Sequence, residues 1–226
     1  MTRMIGLNFH GIGTPDRTLE TGEAPYWLSK TQFINILDQV AATPDPGAYV
    51  ITFDDGNLCD HDIALPALIE RGLHATFFVL SGRIGMAGSL GREHVTALRD
   101  AGMAIGSHGI AHVAWPDLDD AALEKELKHS RAVLEDICCH PVTQAGIPFG
   151  LYNARVLRAL RRTGYTAAFS SDAGTMNPAA FLRPRTSLRG DMTSAQTDAI
   201  LAHRLPPLKR LRRAIGMTKR RYLPLG

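Results

Sequence analysis

The sequence predicts an α/β fold, in the form of a distorted, incomplete (β/α) barrel with about seven parallel strands. Short apolar runs alternate along the chain with longer segments of helical periodicity, which is typical of parallel strands joined by right-handed crossovers. Glycines stand where three of the helical segments end, at Gly72, Gly102 and Gly164. With 226 residues and 45% hydrophobic content, the chain is long enough for one such domain, and two small domains are the alternative.

The predicted strands are short apolar runs between turn-forming residues. The run Tyr-Val-Ile-Thr-Phe at 49–53, rich in β-branched and aromatic residues, leads directly into two aspartates. In chain order, the predicted strands are residues 5–10, 49–53, 75–80, 103–105, 142–147, 166–170 and 182–188.

The predicted helices fall between these strands. The fourth has the clearest signals, because Asp119 is a good N-cap residue and an apolar stripe follows it, made of Leu123, Leu127, Val133, Leu134 and Ile137. In chain order, the predicted helices are residues 31–41, 63–71, 92–101, 119–137, 153–163 and 193–203.

Two adjacent carboxylates end the second predicted strand, in the sequence Ile-Thr-Phe-Asp-Asp-Gly from Ile51 to Gly56. Neighbouring strand residues point to opposite faces, so Asp54 and Asp55 share a surface only if the strand is already turning. Gly56 allows that turn at little steric cost. One carboxylate is then available to bind a metal and the other to take a proton. A strand followed by an ordinary Asp-Gly turn is the alternative.

Two histidines four residues apart, His108 and His112, follow the fourth predicted strand. This spacing brings both imidazoles to one face of a helical turn, where they can bind one metal; for such a pair alone, two exposed surface histidines are the alternative. With Asp55, they make an Asp-His-His set that suits one divalent ion, Zn²⁺ first and Co²⁺, Ni²⁺ or Mn²⁺ as alternatives. Three protein ligands leave a coordination position for water, as in catalytic sites.

These two motifs resemble the first two motifs of the polysaccharide deacetylases, the NodB-homology group of carbohydrate esterase family four. They read Thr-Phe-Asp-Asp-Gly at 52–56 and Ser-His-x-x-x-His at 107–112. A third element, Gly-Ile-Pro-Phe-Gly-Leu-Tyr-Asn at 146–153, resembles the groove-wall motif of that family. The resemblance covers roughly residues 5–190. It implies that Asp54 is the general base and that Asp55, His108 and His112 hold the metal.

The third motif departs from the family pattern at its first position. Many members have an arginine there, which orients the general base, but this chain has Gly146. Arg183 and Arg185, in the last predicted strand, are the candidates for that role, and Asp172 is a further candidate for tuning the acid or the base. An exposed arginine on an edge segment, or a polar turn at Asp172, is the alternative.

The general acid is also displaced from its usual place. Members of the family usually supply a histidine from a Leu-x-x-His motif near the C-terminus, and the spacing at Leu201 and His203 does not fit. In circularly permuted relatives, the N-terminal strand ends in a histidine, as it does here at His10. Because the first and last strands of a closed barrel are neighbours, either histidine can reach the same place. We favour His10.

The placement of the candidate residues agrees with an active site. Those at or just beyond predicted strand ends are His10, Asp54, Asp55, His108, Pro148 and Asp172. In βα barrels, the active site is assembled at that end of the strands. We also expect Pro148, Phe149, Tyr152 and Trp115 to contact substrate, the two last by stacking on sugar rings or, alternatively, by packing in the rim of the core.

Together with these residues, the resemblance to the polysaccharide deacetylases implies a metal-dependent hydrolase that removes acetyl or similar acyl groups from nitrogen in an amino-sugar glycan or glycolipid precursor. Three alternatives are an amide hydrolase of the same fold with a small non-sugar substrate, a degenerate glycan-binding module, and a structural partner of a glycan-synthesis complex. Retention of both Asp54 and Asp55 disfavours a binding module, since binding alone needs no base.

Residues 1–204 are predicted to form the barrel domain and residues 205–226 a basic C-terminal tail. The tail is expected either to be solvated or to lie on anionic lipid, where each basic residue contributes about 1 kcal/mol. Nucleic acid is not an expected partner, because no aromatic platform accompanies the charge. Three cysteines form no disulfide framework and no signal-peptide pattern is visible, so we expect a cytoplasmic protein, with peripheral contact at the inner membrane face. The tail's basic residues are Lys209, Arg210, Arg212, Arg213, Lys219, Arg220 and Arg221.

Overall fold

The computed structural model describes residues 4–203, 215–220 and 222. Within residues 4–203, an α/β architecture is formed by one large sheet, a small two-stranded sheet and six α-helices. The strands are β1 Met4–Phe9, β2 Gly11–Ile12, β3 Trp27–Leu28, β4 Tyr49–Asp55, β5 Ala75–Val79, β6 Ala104–Ser107, β7 Gln144–Gly146, β8 Ala167–Ser170, β9 Thr175–Met176, β10 Leu182–Pro184 and β11 Thr186–Ser187.

The helices begin and end close to the predicted positions. Ser29 caps the first through a capping box with Gln32, and Asp119 caps the fourth by accepting the backbone N–H of Ala122. The second differs from its prediction, because a π-helical turn at Asp60–Ala64 comes before the α-helical part. The α-helices are α1 Lys30–Ala41, α2 Leu65–Glu70, α3 Arg92–Asp100, α4 Asp120–Cys138, α5 Ala154–Arg162 and α6 Ser194–Leu201.

The large sheet is nearly closed into a barrel. Its strands follow the order β10-β8-β7-β6-β5-β4-β1-β11, with every pair on this path parallel, and β9 pairs antiparallel with β1. The two ends of the order, β10 and β11, are separated in the chain only by Arg185. The segment formed by β10 and β11 therefore pairs with β8 through its first part and with β1 through its second part. The predicted (β/α) barrel is confirmed.

The predicted strand 182–188 is split by this change of partner. Before the break, β10 pairs with β8, and after it β11 pairs with β1, as shown by the registers Leu182 to Ala168 and Leu7 to Thr186. Arg185 sits at the break, where its backbone N–H donates to the carbonyl of Ser170. The pairing partner changes at Arg185, whose side chain is fully buried.

Because side chains alternate along the strands, the buried residues fall into two regions, the core between the sheet and the helices and the lumen of the barrel. On β4 and β5, Phe53 and Phe77 belong to the core beneath the helices and stack with their ring centroids 4.6 Å apart. Thr52, Asp54 and Phe78, at the alternate positions, are also buried. Phe78 forms a separate cluster with Phe169 and Met176. The barrel lumen thus mixes aromatic packing with buried polar groups, and these polar groups lie beside the site described below.

The C-terminal segment contacts the barrel where it is described. Residues 215–220 are helical, and Met217 packs in the hydrophobic cluster that contains Tyr152 and Leu182. The other predicted tail residues Lys209, Arg210, Arg212, Arg213 and Arg221 lie outside the described residues, so the boundary near residue 205 and the membrane contact stay predictions. No helix in the described part of the chain is long and apolar enough to cross a bilayer.

Candidate active site

A cavity of about 470 Å³ opens where the parallel strands end. His10, Asp54, Asp55, His108 and His112 all line it, although they come from three separate parts of the sequence. They meet because β1, β4 and β6 run parallel and finish at the same rim. The two motifs and the N-terminal histidine therefore form one site.

Asp54 is held by a buried arginine. The guanidinium of Arg185 donates from Nη1 to Oδ1 at 2.7 Å and from Nη2 to Oδ2 at 2.9 Å, and the amide of Asn8 donates to Oδ2 at 2.8 Å. Burial disfavours the charge of Asp54, but Arg185 and the nearby histidines act against it, and the pKa of Asp54 lies below its ordinary value. The carboxylate is therefore ionised and fixed in orientation, as a general base requires.

The missing arginine of the third motif has a steric explanation. A Cβ atom at Gly146 would come within 2.8 Å of Phe78 Cγ and 3.0 Å of His108 Nδ1, so this position has no room for a side chain. Arg185 instead reaches Asp54 from the break between β10 and β11, with its guanidinium 5.1 Å from the ring centroid of Phe78. Of the two predicted candidates, the structure places Arg185 at Asp54. Arg183 lies away from it, with its Nε bonded to the carbonyl of Ala180.

Asp55 leaves the strand in a left-handed conformation, with φ of 79°, and Gly56 follows with φ of 71°. This turn brings both aspartates to the cavity although they are neighbours in the chain. A positive φ is costly for a residue other than glycine, and such strain is found mainly at functional sites.

The two histidines present matching nitrogens to Asp55. His108 donates its Nδ1–H to the backbone carbonyl of Gly146 at 2.9 Å, because a carbonyl can only accept. His112 Nδ1 lies 2.7 Å from the carboxylate of Glu20, which likewise accepts. In both rings, Nε2 is therefore the nitrogen left to bind a metal. These Nε2 atoms lie 3.4 and 3.5 Å from Asp55 Oδ1.

The donor set fits one divalent metal ion. Asp55, His108 and His112 offer ligand atoms that all lie within 4.8 Å of one another. Tetrahedral zinc with bonds of about 2.0–2.1 Å separates its ligand atoms by about 3.3–3.4 Å, close to the distances from Asp55 Oδ1. That oxygen is buried and has no hydrogen-bond partner among the residues described. Although burial opposes ionisation, contact with His108 holds the pKa of Asp55 far below its usual value, so the oxygen is anionic.

His10 lies beside Asp54 in the cavity. Its Nε2 is 3.9 Å from Asp54 Oδ2, and its ring packs against Tyr26 with centroids 4.9 Å apart. Burial lowers the pKa of His10 more than Asp55 and Asp54 raise it. His203, the alternative acid, follows α6, whose Leu201 carbonyl accepts from Tyr49 Oη. Because Tyr49 begins β4, this end of α6 lies about 16 Å along the strand from Asp54.

The predicted substrate contacts divide into two groups. Phe149 lines the cavity, is 54% exposed, and stacks on His112 with ring centroids 4.3 Å apart. Pro148 is buried in the turn beneath it. Trp115 and Tyr152 are not placed for stacking on a sugar, because both are buried in the hydrophobic cluster around α4 and α5. Of the two alternatives, the structure favours packing for these residues.

Asp172 also lies behind the cavity wall. Its Oδ2 accepts from Tyr152 Oη at 2.8 Å and from Ser170 Oγ at 2.6 Å, and Arg220 forms an ion pair with Oδ1. Burial and Asp172 raise the pKa of Tyr152 to about 12, so its hydroxyl remains a donor. The cavity is lined by the neighbours of Asp172, Ser171 and Ala173. Asp172 therefore joins Arg220 of the C-terminal segment to Tyr152 of the third motif, and its tuning of the acid or the base stays a prediction.

The sequence does not by itself assign four residues to this site. Asn8 has a signal in the sequence, because it stands two residues before His10 in the predicted strand 5–10. Side chains two residues apart on a strand point to the same face. Glu20 and Tyr26 come from the loop between β2 and β3, where the sequence has no pattern that points to the site. The sequence offers Arg183 and Arg185 as equal candidates, and the contacts of Arg185 with Asp54 distinguish the two.

Residues 41–168 match the family model described as polysaccharide deacetylase, which is more than half of the chain. The chain belongs to the polysaccharide deacetylase family. Asp54, Asp55, His108 and His112 all fall inside the matched region, whereas His10 and Arg185 fall outside it.

Two curated proteins of this kind illustrate the relationship. YxkH of Bacillus subtilis (strain 168) is 29% identical over 131 residues, which is 58% of this chain and 47% of that protein. The chitooligosaccharide deacetylase of Rhizobium leguminosarum bv. trifolii is 30% identical over 129 residues, covering 55% of this chain and 56% of that protein. The chain thus spans about half the length of the curated relatives it matches.

Solved structures share the fold over most of the chain. The Streptococcus pyogenes deacetylase PplD, in complex with acetate, has a TM-score of 0.76 at 19% identity, covering 90% of this chain and 99% of that one. IcaB from Ammonifex degensii has a TM-score of 0.71 at 20% identity, covering 89% and 97%. At this identity, the likeness establishes the barrel. The circularly permuted order inferred for His10 stays a prediction.

Proposed function

We propose that this family member hydrolyses the amide of an N-acetylated amino sugar, in a glycan or glycolipid precursor, and releases acetate. The observation that carries this proposal is the pairing in one cavity of an ionised, arginine-held Asp54 with the Asp-His-His set. The name of the rhizobial relative, a chitooligosaccharide deacetylase, supports an N-acetylglucosamine oligomer as the substrate class.

The metal, which we propose to be Zn²⁺ held by Asp55, His108 and His112, would supply a Lewis acid that polarises the acyl carbonyl and lowers the pKa of a bound water. Asp54 takes the proton of the attacking water as the carbon–oxygen bond forms. The carbon–nitrogen bond then breaks, and His10 gives a proton to the departing amine. The products are acetate and a free amino group.

The chain's own groups also position the substrate in this proposal. Gly150 and Leu151 use their backbone N–H groups inside the turn of the third motif, so the N–H of Phe149 is the proposed donor to the developing oxyanion. The rings of Phe149 and Tyr26 line the cavity and replace Trp115 and Tyr152 as the proposed sugar-stacking residues.

An acetate-release assay tests this function. We expect the protein loaded with Zn²⁺ to release acetate from N-acetylchitooligosaccharides, and we expect chelation to abolish release and added Zn²⁺ or Co²⁺ to restore it. His112→Ala is the matched control that should lose both the metal and the activity. Oligosaccharide binding with no acetate release at any metal loading would instead identify a glycan-binding module, and release only from small non-sugar amides would identify the amide hydrolase.

We expect His10→Ala to lower turnover by about two to four orders of magnitude, because an amine leaves only when its nitrogen is protonated. His10 must carry the proton, so activity falls as the pH rises through its pKa, and the variant should lose this alkaline limb. The measurement is a pH–rate profile alongside metal content, which should be unchanged. His203→Ala is the control. If it were the damaging change, the acid would not be on the N-terminal strand.

We also propose that the basic segment at 209–221 contacts the anionic cytoplasmic face of a membrane, as the charge of that segment suggests. Arg220 is already engaged with Asp172, so the remaining basic residues would provide the contact. Co-sedimentation with phosphatidylserine vesicles, and not with neutral ones, is the expected result, and equal sedimentation with both would contradict it.

A further inference from the structure

Glu20, in the loop that joins β2 to β3, contacts one of the proposed metal ligands. We propose that Glu20 is a positioning residue, which orients His112 and raises the affinity of the site for its metal. This inference rests on the proposed function only through the metal site itself. It concerns a residue that lies outside the region matched by the family model.

The contact is short and uses the ring nitrogen that faces away from the metal site. Glu20 Oε2 lies 2.7 Å from His112 Nδ1, while His112 Nε2 points towards Asp55. A carboxylate in this place fixes the tautomer, so that Nε2 keeps its lone pair, and makes the imidazole a stronger donor. His112 has a positive φ of 51°, which is costly for a histidine, and the carboxylate helps to hold the ring in place.

Glu20 is not a freely moving surface carboxylate, because both of its oxygens and its backbone are held. Arg83, which follows β5, forms an ion pair with the second oxygen, Oε1. The backbone N–H of Glu20 donates to Glu23 Oε2 at 2.8 Å. With Oε1 held by Arg83, Oε2 is directed to His112.

The loop itself is anchored to the first motif. Arg17 bonds Glu23 and also donates to Asn57 Oδ1 at 2.8 Å. Asn57 directly follows Gly56, and its amide donates to the backbone carbonyl of His10 at 3.3 Å. The backbone position of Glu20 is thus tied to the segments that carry Asp55 and His10. Removing its carboxylate should therefore remove its contacts with His112 and Arg83 and leave the loop in place.

The two proposed histidine ligands differ in the hydrogen-bond partner of their Nδ1 atoms. His108 is oriented by the backbone carbonyl of Gly146, which no side-chain substitution removes. His112 depends on a side chain from a distant part of the sequence, 92 residues away. Loss of such a partner typically lowers metal affinity by about 10–100-fold. Glu20 is therefore the point at which metal affinity can be changed without altering a ligand.

The test compares the Zn²⁺ affinity of four full-length proteins by competition with a chromophoric chelator: the wild type, Glu20→Gln, Glu20→Ala and Glu93→Ala. We expect Glu20→Ala to weaken Zn²⁺ binding about 10–100-fold, and Glu20→Gln, which keeps a neutral acceptor, to fall between it and the wild type. Glu93→Ala is the matched control, since Glu93 is an exposed glutamate 3.7 Å from His94, which is no metal ligand, and we expect it to bind as the wild type does. The thermal unfolding of all four proteins in chelator should coincide.

Wild-type Zn²⁺ affinity in Glu20→Ala would overturn the inference. Asp55→Ala separates that failure from failure of the proposed function. If Asp55→Ala loses Zn²⁺ and Glu20→Ala does not, the metal site stands and only the role of Glu20 is wrong. If Asp55→Ala binds Zn²⁺ as the wild type does, the metal site and the inference are both wrong. A fall in unfolding temperature in chelator, confined to Glu20→Ala, would make its role structural and would also overturn the inference.

Discussion

Asp54→Asn is expected to retain the metal and to lose about two to four orders of magnitude in turnover. The substitution removes the proposed base, and both oxygens of Asp54 are bonded to Arg185 and Asn8 and so are not needed as metal ligands. Acetate release and metal content measured on the same preparation check this result. Loss of the metal would show that the roles of Asp54 and Asp55 are exchanged.

Asp60→Asn is a matched control for this change, because it replaces another buried aspartate, in the π-helical turn that follows β4. Neither oxygen of Asp60 has a hydrogen-bond partner in the described part of the chain, and burial, with the charges of Asp55 and Asp54, raises the pKa of Asp60 well above its ordinary value. Asp60 belongs neither to the Asp-His-His set nor to the cavity lining, so its amide variant should keep wild-type turnover. Equal losses in the two variants would indicate a general disturbance of the connection and not the removal of a base.

Arg185→Met is expected to lower the free energy of unfolding by about 3–5 kcal/mol. The substitution leaves the Asp54 carboxylate buried without its cation, and breaking a buried ion pair on one side is strongly destabilising. For a domain of this size, the loss corresponds to a fall of about 6–20 °C in melting temperature. Urea unfolding followed by circular dichroism at neutral pH measures it.

The destabilisation should shrink as the pH falls. In the wild type, the pKa of Asp54 is lowered, so the ion pair stabilises the fold above the unfolded pKa of about 3.9 and is lost as the pH falls through the lower folded value. In the variant, burial is unopposed by Arg185 and raises the pKa of Asp54, which takes up a proton at higher pH and removes the unpaired charge. Unfolding compared at pH 7.5 and pH 5 should therefore show a smaller difference at pH 5.

Two further variants isolate the ion pair. Arg185→Met combined with Asp54→Asn should recover part of the lost stability, because no charge is then left unpaired in the interior. Arg183→Met, two residues away, removes an arginine that contacts neither aspartate and should cost far less. If Arg183→Met were as damaging as Arg185→Met, the loss would come from strand packing, and the ion pair would not account for it.

Local sequence patterns determined the chemistry of the first two motifs and the class of fold. Asp54 and Asp55 are adjacent and His108 and His112 are four residues apart, so the spacing alone indicates a base beside a metal site. The alternation of strands and helices predicted the barrel, and hydrophobic periodicity located the helices to within a few residues. These properties depend on neighbours in the chain, which is why one sequence is enough to predict them.

Only the tertiary structure decided between Arg183 and Arg185, placed Glu20 on His112, and turned Trp115, Tyr152 and Asp172 away from the cavity. Each outcome depends on contacts between distant parts of the chain. Arg185 lies where the pairing partner changes from β8 to β1 and donates two hydrogen bonds to Asp54, and Phe78 occupies the space that a side chain at position 146 would need. Pairing partners and free volume are properties of the closed barrel, and no local pattern of residues encodes them.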